Sequence, residues 1–195
     1  VYQVFDFHGD IRPDQFLLNE SKNEQEQTVL SVKLTDFALA NSNEFAYGLT
    51  EYIPLSNMLV DVVEDPVELR KLFRKRDEYA FYVSIFELML GHLPFSIRNK
   101  DSDQDVRNFL ITLQQGMIDW RVNKQHLYGK MHVKQQEKIR ELFSDLLLNI
   151  EKEPRDENWI DQFWNKLEPC LRGFDGKNAS DSSSLLTMFR RFRKN

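Results

Sequence analysis

Between Glu78 and Leu90 the chain carries Tyr79, Phe81, Tyr82, Val83, Ile85, Phe86, Leu88, Met89 and Leu90, which leaves almost no polar face along a helix. A helix that is apolar nearly all round is stable only where other elements cover it on most sides. The segment therefore predicts a central, buried helix around which the rest of a domain is built. Gly91 can adopt the left-handed conformation that ends a helix, and Pro94 stops it from resuming.

The remaining elements are read as layers on that rod. Ser102 and Asp105 resemble a capping box, and Val106, Phe109, Leu110 and Leu113 follow at helical spacing before Gly116. Ile139, Leu142, Phe143, Leu146, Leu147 and Ile150 mark a third amphipathic helix. Trp159, Ile160, Phe163, Trp164, Leu167 and Leu171 mark a fourth. Strands are short: Leu30, Val32 and Leu34 alternate toward Asp36, and Phe16-Leu17-Leu18 makes a partner, with polar Asn19 to Thr28 expected as a loop between them. Arg70, Lys71, Arg74, Lys75 and Arg76 predict a solvated helix face or linker. Residues 173–184 read as a polar loop and 185–194 as a short basic tail. The fold class expected is mainly α with short β-hairpins.

With 195 residues, 41% hydrophobic, the chain is large enough for one packed domain. A net charge of −5 disfavours nucleic acid as a partner. Cys170 is the sole cysteine, which excludes an internal disulfide or a thiolate zinc site and fits a reducing compartment. No apolar run approaches the roughly 20 residues that span a bilayer, so neither a membrane nor a secretory setting is expected. The sequons at Asn19 and Asn178 are read as chance. His92, His126 and His132 have no partner at metal-ligand spacing and are read as surface or packing residues.

Three stretches carry chemistry: His8-Gly9-Asp10-Ile11-Arg12-Pro13-Asp14-Gln15-Phe16-Leu17-Leu18, then Leu34-Thr35-Asp36-Phe37-Ala38, then Asp77 to Phe95 with its Gly-x-x-Pro-Phe ending. In this order they resemble the C-terminal lobe of a eukaryotic protein kinase: a catalytic loop (8–18), a metal-aspartate segment (34–38), an activation segment (38–59) and a central helix (77–91). The lobe would occupy 1–172, with a polar loop and basic tail over 173–195. No Gly-rich phosphate loop or strand lysine precedes Tyr2, so the N-terminal lobe is expected to be missing and the chain alone to be inactive. His-Gly-Asp in place of His-Arg-Asp, with Thr50 to Leu59 and Leu142 to Asn149, is similar to the Bub and BubR spindle-checkpoint kinases.

The resemblance implies a role for each residue. Asp10 would take the proton of the substrate hydroxyl, and Arg12, replacing a lysine, would face the transferred phosphoryl group. Asp36 and Gln15 would hold Mg²⁺ against ATP. Gln15 stands where asparagine is usual, and its extra methylene strains a site with ligand distances of about 2.0–2.1 Å. Ala38 replaces a glycine, Asn57 replaces the glutamate that anchors the activation segment, and Tyr82 replaces a small glycine of the central helix, so that a local repacking must house its ring. Thr50 would help organise the substrate site, and Ser42, Tyr47 and Thr50 are candidate phosphorylation positions. Asp77 would bind the backbone of the catalytic loop, and His8 would brace that loop against Phe37.

Two readings follow. The first is a serine/threonine kinase of the mitotic checkpoint type, acting on protein substrates in the nucleus or cytoplasm or at the kinetochore. The second is a pseudokinase scaffold that binds checkpoint proteins without catalysis, suggested by Gln15, Ala38, Asn57 and Tyr82. A small-molecule phosphotransferase shares the His-Gly-Asp loop but lacks the Asp77 to Phe95 ending.

Overall fold

The computed structural model describes residues 7–26, 28–40, 50–54, 64–95, 108, 111–112, 115–149 and 158–171. Ser42, Tyr47, Asn57, most of the helix expected before Gly116, and everything after 171 lie outside them. The described part is mainly helical with one two-stranded antiparallel sheet. It divides into two compact units: Val1–Pro13 with Asp36–Arg155, and Asp14–Thr35 with Asp156–Asn195.

The first unit is organised by α1, Pro66–Leu90, a helix of 25 residues. Asp65 caps it by accepting from the Val67 amide at 2.9 Å, and Pro66 fits the first turn, where no backbone donor is needed. Gly91 ends it at φ 81, as the sequence predicts, with its amide on the Glu87 carbonyl. The helix thus begins before the apolar run and takes in the basic cluster. Its first turns run in solvent, and from Arg76 to Phe86 every residue is buried. Arg76 departs from the solvated face expected for that cluster. Tyr82 is accommodated with no exposed surface, its hydroxyl donating to Glu78 Oε1 at 2.6 Å one turn back.

Against α1 packs α2, Val133–Asn149, which buries Ile139, Leu142, Phe143, Leu146 and Leu147 as the periodicity requires. The seam between them is aromatic. Phe86 meets Phe143 edge-on with ring centroids 5.5 Å apart and lies 5.3 Å from Trp120. Arg140, itself exposed, sits 5.8 Å over the Trp120 ring and donates to the Tyr128 hydroxyl at 2.7 Å, so its guanidinium covers the rim of the aromatic layer while staying in contact with water.

In the second unit, β1 (Phe16–Lys22) pairs with β2 (Thr28–Leu34) in a register that sets Phe16 opposite Leu34. The polar residues Asn19 to Lys22, expected in a loop, are strand. Backbone pairing with β2 satisfies the amide of every other residue whatever its side chain, water reaches the outward amides along the open edge, and the exposed ribbon keeps the side chains in water. The turn is made by Asn23, whose side chain accepts from the Gln25 amide at 3.0 Å, and by Glu26 at φ 57. At the hairpin base the Thr35 amide and hydroxyl both donate to the Gln15 carbonyl, at 2.9 and 3.0 Å. Helix α3, Trp159–Leu171, buries Trp159, Phe163, Trp164, Leu167, Cys170 and Leu171. No helix among the described residues is long and apolar enough to cross a membrane.

Candidate functional site

The segment Phe7 to Ile11 is pinned to α1 at two points one helical turn apart, which places both anchors on the same face of the helix. Phe7 stacks on Phe73 with centroids 4.0 Å apart and planes 5° from parallel. The fully buried Asp77 carboxylate then accepts from the His8 amide at 2.6 Å and the Gly9 amide at 2.8 Å. The structure thereby supplies the Asp77 contact that the sequence predicts. Burial pushes the Asp77 carboxyl above its ordinary value, and the two amides, His8 and Arg76 pull the other way.

The same loop is pinned to the segment after Asp36. His8 meets Phe37 edge-on at 4.8 Å, the bracing contact expected for it. Gly9 has φ +88, and a Cβ there would lie 3.1 Å from the Leu39 carbonyl oxygen and 3.2 Å from the Leu39 Cβ. A side chain at position 9 would be strained by that positive φ and would press on Leu39 by a few tenths of an ångström, which gives a local reason for glycine between His8 and Asp10. Asp10 and Asp36 flank this packed contact, each one or two residues from it, although 26 positions apart in sequence.

Asp10 is held at both ends. Its amide donates to His8 Nδ1 at 3.2 Å, and its carboxylate pairs with Arg12 Nε at 3.1 Å, the two side chains being 17% and 26% exposed. Asp36 is exposed and takes a left-handed conformation, φ 61 and ψ 68, just before the turn Phe37–Leu39, to which its side chain makes no capping bond. Such strain in a residue other than glycine costs of the order of 1–3 kcal/mol and tends to collect at functional positions. The left-handed residue is Asp36 and not Ala38, so the Ala38 methyl meets no opposition from its own backbone. Gln15 is nearly buried on the turn Pro13–Gln15 and belongs to the second unit, whereas Asp10, Arg12 and Asp36 belong to the first.

No group of three or more His, Cys, Asp or Glu that could hold a metal is found among the described residues. A magnesium ion carried by nucleotide phosphates needs only one or two protein carboxylates, and the exposed oxygens of Asp36 suit that requirement. Gln15 offers a neutral oxygen on a longer, buried arm and suits it less well. Thr50 begins the turn Thr50–Tyr52, whose Tyr52 hydroxyl donates to the Glu87 carboxylate on α1.

One member of the cluster was not legible from the sequence. Arg76 is 4% exposed, beside Asp77 on α1. Burial pushes its guanidinium below the ordinary value, and the charges of Asp77 and Asp10 oppose that shift. Its place before an aspartate was visible, but nothing in a run of five basic residues singled it out.

No protein-family model and no curated protein matches the chain. Among solved structures it is similar to a Rad53 kinase domain with SCD2 in complex with AMPPNP. The TM-score is 0.51 and the identity 18%, over 97% of this chain and 60% of that one. A Rad53 kinase domain with SCD2 aligns at a TM-score of 0.46 and 18% identity, over 85% of this chain and 46% of that one. The chain thus spans about three fifths of the first structure, and its fold is kinase-like.

Proposed function

We propose that this chain is the carboxylate-bearing lobe of a protein serine/threonine kinase that moves the terminal phosphoryl group of ATP to protein hydroxyls. The observation that carries the reading is the double anchoring of the His8–Asp10 loop. Asp77 holds its amides, and Phe37 with Leu39 packs against it, so the segments bearing Asp10 and Asp36 are fixed together. A kinase-like fold and a structural neighbour crystallised with an ATP analogue agree with it.

Asp10 accepts the proton of the attacking hydroxyl, and the Arg12 pairing orients its carboxylate. Asp36, exposed and backbone-strained, would hold the Mg²⁺ that comes with ATP. Mg²⁺ bound with ATP would neutralise charge on those phosphates. The finer assignment to the spindle-checkpoint type, with checkpoint proteins as partners, rests on the Bub-like sequence features alone. A pseudokinase scaffold is the second reading, favoured by the buried Gln15 at a metal-ligand position.

The test is phosphoryl transfer to a histone-type substrate by the full-length protein and its Asp10→Asn form. The expected loss in kcat is of the order of a hundred- to ten-thousandfold. Equal rates would remove Asp10 from the chemistry. No ATP binding by the full-length protein, with or without Mg²⁺, and no transfer by either form would favour the scaffold.

A further inference from the structure

His8 is fully buried, and three of its groups are engaged by different parts of the first unit. Its amide donates to Asp77 on α1 at 2.6 Å, its ring meets Phe37 edge-on at 4.8 Å, and its Nδ1 accepts from the Asp10 amide at 3.2 Å. The first two contacts ask little of the residue type. Almost any residue carries the amide, and phenylalanine would supply a ring for Phe37. The third contact asks for an acceptor. A backbone amide can only donate, so Nδ1 presents its lone pair and the proton of the neutral ring sits on Nε2. The bond closes a short turn from the side chain of one residue to the amide two positions on, as Asn and Asp side chains do. Gly9, at φ 88, is the residue between. The turn so closed ends at Asp10, whose carboxylate has its own support in Arg12 Nε at 3.1 Å.

We propose that His8 is a positioning residue for Asp10, its Nδ1 lone pair fixing the Asp10 backbone and with it the place from which the carboxylate takes the substrate proton. This rests on the reading of Asp10 as the proton acceptor. It goes beyond the brace against Phe37, which a ring without an acceptor would also give. Being buried, His8 acts through Asp10 and not on the substrate.

Two variants of the full-length protein separate the acceptor from the brace. His8→Phe keeps an aromatic edge for Phe37 and removes the acceptor. His8→Asn removes the ring and keeps an oxygen placed to close the same turn. In phosphoryl transfer, His8→Phe is expected to lower kcat of the order of ten- to a hundredfold with the KM for ATP unchanged, as for a misplaced catalytic group. His8→Asn should recover much of that loss. A kcat of the Phe form equal to wild type, or no higher in the Asn form than in the Phe form, overturns the proposal.

Two further readouts do not depend on transfer. The ring-nitrogen NMR shifts of His8 in the full-length wild type should be those of an unprotonated Nδ1 and a protonated Nε2, and a proton on Nδ1 overturns the proposal. Hydrogen exchange at the Asp10 amide should be about two- to tenfold faster in His8→Phe than in wild type, the effect of losing one neutral hydrogen bond. Equal exchange overturns it as well. Should either variant not fold, the wild-type ring shifts decide. If Asp10→Asn leaves transfer intact, or wild type transfers nothing, the functional reading fails, and the ring shifts with the Asp10 exchange still decide whether His8 holds the Asp10 backbone.

Discussion

Replacing Asp77 by asparagine tests the anchor on which the site depends. The wild-type carboxylate presents two acceptor oxygens to the His8 and Gly9 amides at 2.6 and 2.8 Å, with no solvent access. A hydrogen bond to a charged acceptor contributes about 1.5–3 kcal/mol. Asparagine keeps the shape but offers one oxygen and one amino group, so one backbone N–H retains a weaker, neutral acceptor and the other meets a donor. One charged bond is lost and a second is reduced, partly offset by no longer burying a charge. The net loss is about 2–4 kcal/mol. Against a typical total stability of about 5–15 kcal/mol this is a large fraction. Urea unfolding reads the loss, and hydrogen exchange at His8 and Gly9 reads its location, since these two amides should lose protection first. An Asp77→Asn protein within about 0.5 kcal/mol of wild type, the range of ordinary surface changes, with both amides still protected, would refute the reasoning.

Three further outcomes follow from the same geometry. Burial raises the Asp77 carboxyl above its unfolded value of about 3.9, so the folded state binds that proton more tightly. The associated stability is complete below about pH 4 and is lost as pH rises through the folded value. The stability difference between wild type and Asp77→Asn should therefore shrink with rising pH, and a difference that grows would contradict it. Gly91→Ala puts a side chain at φ 81 with its Cβ 2.1 Å from His126 Nε2, at a conformational cost of about 1–2 kcal/mol before any movement of His126. An unchanged urea midpoint would show that the helix end can be rebuilt freely. Phe86→Ala, at a fully buried ring packed on Trp120 and Phe143, should cost about 3–5 kcal/mol in thermal or urea unfolding. A loss below about 1 kcal/mol, the scale of a single buried methylene, would mean that the aromatic seam is not the core of the first unit.

Apolar spacing alone located the buried parts of the three described helices, though not the solvated start of α1. The run from Tyr79 to Leu90 had to be covered on most sides, and the stripes of α2 and α3 are buried among the described residues apart from Ile160, which is half-buried. Gly91 as the helix end was equally legible, because a left-handed stop is a property of one residue. The pairing of Asp77 with the loop and of His8 with Phe37 was legible through the kinase resemblance and not through spacing, since the Asp77 contacts span 68 and 69 positions. Tertiary structure decided the rest. It set the burial of Arg76 among neighbours that look solvated, the strained backbone at Asp36, the positive φ at Gly9 beside Leu39, and the extension of β1 through polar residues. Periodicity records which faces must leave water, and it is summed over neighbouring positions. Charge pairing, backbone approach and strand partnership depend on what arrives from elsewhere in the chain, and that is settled only when the elements pack.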